Sequence, residues 1–242
     1  MSDKVVPYKD SDKTKTAQVA DMFDAISHRY DFLNGVLSLG IYKYWRNQLV
    51  KALKPLEGKI ILDVATGTAD VAIEIAKHKP SIVIGCDISE QMMVLGRKKI
   101  KKKNLSTLID LQYGDASQLP YDNNKFNCVS VAYGVRNFEN LERGLQEINR
   151  VMKNGGCLAI LEFSKPKHFP IKQIFQLYFK YILPLIGKIV AKDNRAYSYL
   201  PESVQQFPEG ESFLRILQKQ GFTNTKCKSL TFGIASLYTA YK

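Results

Sequence analysis

The chain has only three histidines and four cysteines, and neither set has metal-ligand spacing. His28, His78 and His168 are scattered, and Cys86, Cys128, Cys157 and Cys227 lie far apart with no CxxC pair. Each cysteine sits in or beside an apolar run, as free core thiols do. That pattern argues against a disulfide framework or a zinc site and suits a reducing interior. An unbroken hydrophobic span is also missing. The longest apolar tract, near residues 171–191, is interrupted by Lys172, Lys180, Pro184 and Lys188, so it does not read as a spanning helix. The N-terminus, Met-Ser-Asp-Lys-Val-Val-Pro, shows neither an apolar signal core nor an Arg-rich leader, so a cytoplasmic protein is expected.

What is present is an ordinary globular composition with a basic excess. Apolar residues make up 45% and charged residues 24%, while 35 Lys+Arg against 23 Asp+Glu leave a net charge of +12. A length of 242 residues is ample for one large core. The charge permits nucleic acid, an anionic membrane surface or an acidic substrate, and selects none of them.

Residues 1–15 are polar and read as a mobile tail; residues 16–242 read as one domain. Val19, Met22, Phe23 and Ile26 recur at helical spacing, and a second helix is expected at Lys43–Leu53. Between them, Tyr30-Asp31-Phe32-Leu33-Asn34-Gly35 is too aromatic and too specific for an idle linker. Residues 16–56 are therefore expected to form a helical lid. From Lys59 onward, strands expected at Ile60–Val64, Ile82–Asp87, Ile109–Tyr113, Asn127–Ala132 and Cys157–Phe163 alternate with helices at Asp70–His78, Ser89–Lys102, Leu141–Val151 and Pro208–Gln220. Such alternation predicts a doubly wound, mostly parallel α/β sheet covered on both faces. Thr223–Thr231 and Ile234–Tyr241, joined through Phe232-Gly233, read as an antiparallel hairpin that brings the sheet to seven strands.

Open sheets of this kind bind ligands at the carboxyl ends of their strands. The first such end is Asp63-Val64-Ala65-Thr66-Gly67-Thr68-Ala69-Asp70. A pyrophosphate cradle needs several glycines for close backbone approach, and here Gly67 stands alone between Ala65 and Ala69. A cofactor without phosphate, such as S-adenosylmethionine, asks less of the turn. Asp63 suits either fixing the turn or meeting an ammonium. Asp87 ends the second strand, where an acceptor-only carboxylate can take both ribose hydroxyls of that cofactor or of NAD; Ser89 is the better helix cap. After the third strand, Asp115 beside the Ala116 amide can read an adenine edge. The run Arg97-Lys98-Lys99-Ile100-Lys101-Lys102-Lys103 reads as a solvated helix face; it lacks the interleaved aromatics that stack on bases, so no nucleic-acid partner is expected.

Taken together these strand ends resemble the class I, Rossmann-like S-adenosylmethionine-dependent methyltransferases. Two further segments narrow the likeness. Tyr30-Asp31-Phe32-Leu33-Asn34-Gly35-Val36-Leu37-Ser38 with Trp45, and Arg150 through Ser164, resemble the two signatures of the ubiquinone/menaquinone biosynthesis C-methyltransferases (the UbiE/MenG family), and Tyr133-Gly134-Val135-Arg136-Asn137 resembles another family segment. The likeness runs from about Thr16 to the C-terminus. Leu33, Tyr42 and Asn154 depart from the family pattern. Carried over by position, the family's cofactor contacts fall on Thr68, Asp87, Asp115 and Ala116; a further contact would land on Ala132, where only the backbone could serve.

The resemblance implies carbon methylation of a polyprenylated quinol, demethylmenaquinol in the menaquinone branch or a benzoquinol in the ubiquinone branch. More distant alternatives are an RNA methyltransferase and an NAD(P)-dependent oxidoreductase. On this reading Arg136 and Asn137 orient the quinol oxygen and stabilise its charge, and Tyr30 and Asp31 close the pocket. The proton goes to a bound water, Asp31 or Asp115. The apolar insertion over residues 165–207, densest at Phe169–Lys192, suits a mouth for the prenyl tail and peripheral contact with the inner face of the plasma membrane, or equally a core or homodimer helix.

Overall fold

The computed structural model describes residues 5–38, 40–178, 181 and 195–242. Strands β1 (Ile60–Val64), β2 (Ile82–Asp87), β3 (Ile109–Tyr113), β4 (Phe126–Ala132), β5 (Met152–Phe163), β6 (Thr223–Leu230) and β7 (Ala235–Tyr241) form one sheet in the order β3-β2-β1-β4-β5-β7-β6. The first five are parallel, and β7 runs antiparallel to both β5 and β6. The hairpin thus inserts its second strand inside the sheet and leaves its first at the edge.

Both faces are covered because successive strand residues point to opposite sides. Ile61, Val83, Cys128 and Ala159 face a core built with Trp45, Leu49, Leu53 and Ile75. Their neighbours Leu62, Ile84, Val129 and Leu158 face a second core built with Leu145, Ile148, Phe213 and Leu217. The first core is roofed by α2 (Ile41–Ala52), α3 (Asp70–Ala76) and α4 (Glu90–Lys102), the second by α5 (Leu141–Val151) and a later helix, Glu211–Lys219. Each fully buried Leu or Ile contributes about 1.5–3 kcal/mol.

The chain runs outward from β1 through β2 to β3 and then returns to pair β4 with β1. That reversal opens a crevice at the carboxyl ends of β1 and β4. The two loops touch there: a Cβ added at Gly134 would collide with the Ala65 Cβ, so only glycine fits.

Helix α1 (Lys15–Leu37) crosses above the crevice. Its Val19 and Met22 pack with Tyr199 of α7 (Arg195–Gln206), beside Phe23, Ile26 and Ile88. Between β5 and α7 lies α6 (Ile171–Leu177), and the helix Glu211–Lys219 is α8. Of the apolar segment Phe169–Lys192, residues 179–180 and 182–192 lie outside the described residues.

The segment Tyr30–Gly35, expected between two helices, is helical. Asn34 and Gly35 do not stop α1; the chain turns at Gly40, whose φ is +77° and whose amide donates to the Gly35 carbonyl at 3.0 Å. Strand β5 begins at Met152 rather than Cys157, because Met152 pairs with Phe126 before an irregularity restores register at Cys128–Cys157.

Candidate active site

Three left-handed residues in five make the turn after β1 tight: Ala65 at φ 54°, Gly67 at 53° and Ala69 at 64°. The Thr66 amide donates to the Cys86 carbonyl at 3.1 Å and the Ala69 amide to the Thr66 carbonyl at 2.9 Å. Beneath the turn Asp63, 1% exposed, accepts from Ser130 Oγ at 2.6 Å and Thr66 Oγ1 at 2.7 Å. Burial pushes its carboxyl up to about 6, against the opposing pull of the two hydroxyls. Asp63 therefore fixes the turn through Thr66 and Ser130 and does not line the crevice.

Asp87 does line it. One carboxylate oxygen accepts the Gly67 amide at 2.7 Å, the other the Ser89 amide at 2.8 Å. Burial raises its pKa and these amides oppose the rise. Each oxygen keeps a lone pair for a ligand hydroxyl. Ser89 caps α4, its hydroxyl accepting from the Met92 amide at 3.3 Å. At the end of β3, Asp115 holds the Ser117 amide at 2.8 Å, and Gly114, Asp115 and Ala116 form the far wall.

The cleft, open in part to solvent, is roofed by Thr16, Val19, Phe23 and Tyr30 of α1. The roof is tied at both margins: Thr16 donates its amide to Glu139 at 3.2 Å, and Asp24 accepts from Ser89 Oγ at 2.5 Å.

The wall beyond β4 carries Ala132, Tyr133, Gly134 and Asn137. Tyr133 has φ 57° and its ring lies 4.8 Å from that of Phe163, which meets the Trp45 ring edge-on at 6.2 Å. Trp45 is fixed in turn by donating to Thr231 Oγ1 at 2.7 Å. Asn137 accepts from Tyr199 OH at 3.1 Å and donates to the Tyr133 carbonyl at 3.3 Å. Arg136 sits behind this wall and is absent from the lining of the main cleft. Its side chain is 7% exposed and paired with the fully buried Glu162 at 2.7 Å. A buried carboxylate demands such a partner, which explains why the guanidinium turns away from the crevice. Desolvation raises the Glu162 pKa and the Arg136 cation opposes it. The Tyr133 hydroxyl, Arg136 Nε and Arg46 Nε are buried without a hydrogen-bond partner among the described residues, and of these Tyr133 belongs to the cleft lining. An orphaned hydroxyl beside a cleft is one that a polar ligand or water would complete.

Thr68 and Asp31 also stand apart from the cleft lining. Thr68 Oγ1 donates to Asp31 Oδ1 at 2.7 Å, and Lys99 Nζ donates to Thr68 Oγ1 at 2.8 Å. The structure thus brings Tyr30, Gly67, Asp87, Asp115, Ala116 and Asn137 to one cleft and places Asp63, Thr68, Asp31 and Arg136 in its supports. The sequence reading gave no role to Tyr133, Glu162, Arg46 or Lys99. Lys99 was hidden in its basic run, since a long side chain that curls back reads like one facing water.

The deep cleft offers Asp87, the Ala116 region and a single-glycine turn, which fits an adenosyl group with an amino-acid tail and not a pyrophosphate.

Residues 11–242 match the ubiE/COQ5 methyltransferase family. The demethylmenaquinone methyltransferase of Bacteroides fragilis is 47% identical over 242 residues, covering 99% of this chain and 98% of that protein. That of Porphyromonas gingivalis is 38% identical, with 99% and 98% covered. The ubiquinone/menaquinone biosynthesis C-methyltransferase UbiE of Geobacter sulfurreducens is 41% identical, with 99% and 93% covered. Among solved structures, a SAM-dependent methyltransferase from Thermotoga maritima superposes with TM-score 0.65 at 16% identity, covering 92% of this chain and 99% of that one. One from Mesorhizobium loti gives 0.61 at 17% identity, covering 81% and 96%. At these identities the structural likeness speaks for the fold alone.

Proposed function

The chain belongs to the ubiE/COQ5 methyltransferase family, and on that premise we propose that it methylates a ring carbon of polyprenylated demethylmenaquinol with S-adenosylmethionine, yielding menaquinol. The observation that carries the reading is one cleft that bears both Asp87 and Asp115, suited to ribose and adenine, and the Asn137 carboxamide with the unpartnered Tyr133 hydroxyl.

When bound, the sulfonium supplies an electrophilic methyl group. Asp87 would hold the ribose hydroxyls, and Asp115 with the Ala116 amide would hold the adenine edge. Tyr30 and Phe23 close the roof and exclude water. The quinol carbon becomes nucleophilic once the neighbouring hydroxyl is deprotonated, since the phenolate charge is shared onto it. Asn137 and the Tyr133 hydroxyl orient that oxygen. Arg136, paired with Glu162, donates to the Tyr133 carbonyl and so holds the wall that carries them. The proton passes to a bound water or to a carboxylate at the cleft, Asp31 beside it or Asp115 in its lining. Positioning and proton removal are the main tasks, because methyl transfer from a sulfonium is intrinsically favourable.

Among the described residues no helix is long and apolar enough to cross a membrane. The prenyl tail is met instead at the surface. Phe169 is 80% exposed, and Ile174, Leu177 and Tyr181 are exposed beside it, with Lys167 and Lys172 at the same site. This suits peripheral docking on the anionic inner face of the plasma membrane.

The test supplies S-adenosylmethionine with short-tailed demethylmenaquinol, kept reduced, or with the corresponding benzoquinol, or with RNA. Mass spectrometry is expected to find one added methyl on the naphthoquinol carbon. Methyl on oxygen, on RNA alone or on no acceptor overturns the reading; preference for the benzoquinol moves the substrate to the ubiquinone branch.

A further inference from the structure

Beside the cofactor turn, four ionisable groups from four helices meet around one hydroxyl. Lys99 Nζ of α4 lies 2.5 Å from Asp31 Oδ2 of α1 and 2.8 Å from Asp70 Oδ1 of α3. It also donates to Thr68 Oγ1 at 2.8 Å, while Thr68 Oγ1 donates to the other Asp31 oxygen at 2.7 Å. The second Asp70 oxygen takes Arg46 of α2 at 2.7 Å. Two cations and two carboxylates balance.

Asp31 is held as a free amino acid's α-carboxylate would be, one oxygen on an ammonium and the other on a hydroxyl. Thr68 follows Gly67, which lines the cleft and donates its amide to Asp87. A ribose seated on Asp87 would lie against this turn, with Thr68 the next residue along for its amino-acid tail. Asp31 is the member carried by the roof; Thr68, Asp70 and Lys99 belong to the scaffold beneath it. The roof does not need Asp31 to stay in place, because Asp24 ties α1 to Ser89 and to the Gln91 amide at 3.2 Å.

We infer that Thr68 and Lys99 form the receptor for the α-carboxylate of S-adenosylmethionine, and that Asp31 occupies it from the lid until the cofactor's own carboxylate displaces it. The inference rests on the cofactor assignment above. Exchange of one carboxylate for another keeps Lys99 paired, and the displaced Asp31, 42% exposed, is taken up by water. In the empty enzyme Asp31 thereby stands in for part of the ligand, and cofactor entry frees its carboxylate while Asp24 keeps the roof in place.

The test is calorimetric titration of the full chain with S-adenosylmethionine and with its decarboxylated analogue. Lys99→Met is expected to weaken the intact cofactor about tenfold and the analogue less than about twofold, with Lys99→Arg restoring most of the loss. Asp31→Asn is expected to tighten the intact cofactor about threefold or more and leave the analogue unchanged, because the competitor has gone. Asp31 is 42% exposed, so that variant folds even where Lys99→Met does not. Equal effects on both titrants, or weaker binding of the intact cofactor to Asp31→Asn, overturn the inference. If the unsubstituted protein binds neither titrant, the cofactor assignment itself fails.

Discussion

Glu162, with no exposed surface, holds Arg136 through a 2.7 Å ion pair, and the same guanidinium nitrogen donates to the Tyr133 carbonyl at 2.6 Å. One buried charge at the end of β5 thus sets the loop after β4. The wall of the reacting end is shaped from behind, by residues that do not face the cleft.

Removing one partner of this pair leaves the other charged and dry. Arg136→Ala should lower stability by about 3–5 kcal/mol and collapse turnover, while the folded fraction binds S-adenosylmethionine nearly normally. Arg136→Met combined with Glu162→Gln should recover most of the stability but not the turnover. Urea unfolding, titration and initial rates on the same samples check this; recovery of turnover in the double variant would show that Arg136 acts only as packing.

Tyr133→Phe deletes a hydroxyl that bonds to no described residue. Stability should hold or rise, because an unsatisfied buried group is lost. Turnover with the quinol should fall about tenfold with unaltered cofactor affinity. Steady-state rates against quinol concentration decide, and an unchanged rate removes Tyr133 from the reacting wall.

Asp63 gives a pH signature. Its carboxyl titrates near 6 when folded, against 3.8 for the ordinary group. Between those values the folded state binds more protons than the unfolded one, so its contribution is present in full below about pH 4 and is lost as pH rises through 6. The loss is worth about 3 kcal/mol. Asp63→Asn should therefore flatten the stability profile between pH 4 and 6 relative to the parent. Unfolding midpoints across that range test it, and parallel profiles refute it.

Vesicle sedimentation separates membrane docking from a covered helix face. The protein should pellet with vesicles containing anionic lipid and much less with neutral ones, and Phe169→Ser with Leu177→Ser should abolish pelleting. Equal behaviour toward both vesicle types would point to a protein partner for that face.

Much of this was legible in the residues. Short β-rich apolar runs alternating with helical segments located the strands, and the single-glycine turn with Asp87 and Asp115 located the cleft. Three features were not legible, each for a physical reason. Tyr30–Gly35 reads as a segment between two helices, yet it continues α1, whose apolar stripe Val19, Met22, Phe23 and Ile26 packs beside Tyr199 and Ile88 one to three turns earlier. Lys99 is one lysine in a basic run, and only the tertiary meeting of α1, α3 and α4 gives it partners. Arg136 looks exposed in a loop, because nothing in the local sequence shows that Glu162, a strand residue 26 positions later, is buried and needs a counter-charge.

The insertion of β7 between β5 and β6 has a consequence for synthesis. Translation delivers β6 first, but its only neighbour in the sheet among the described residues is β7. Until β7 emerges, the flank of β5 stays unpaired with its ladder of amides open. A nascent chain paused between Leu230 and Ala235 would display that flank to other chains, making the final hairpin the step at which self-association competes with maturation.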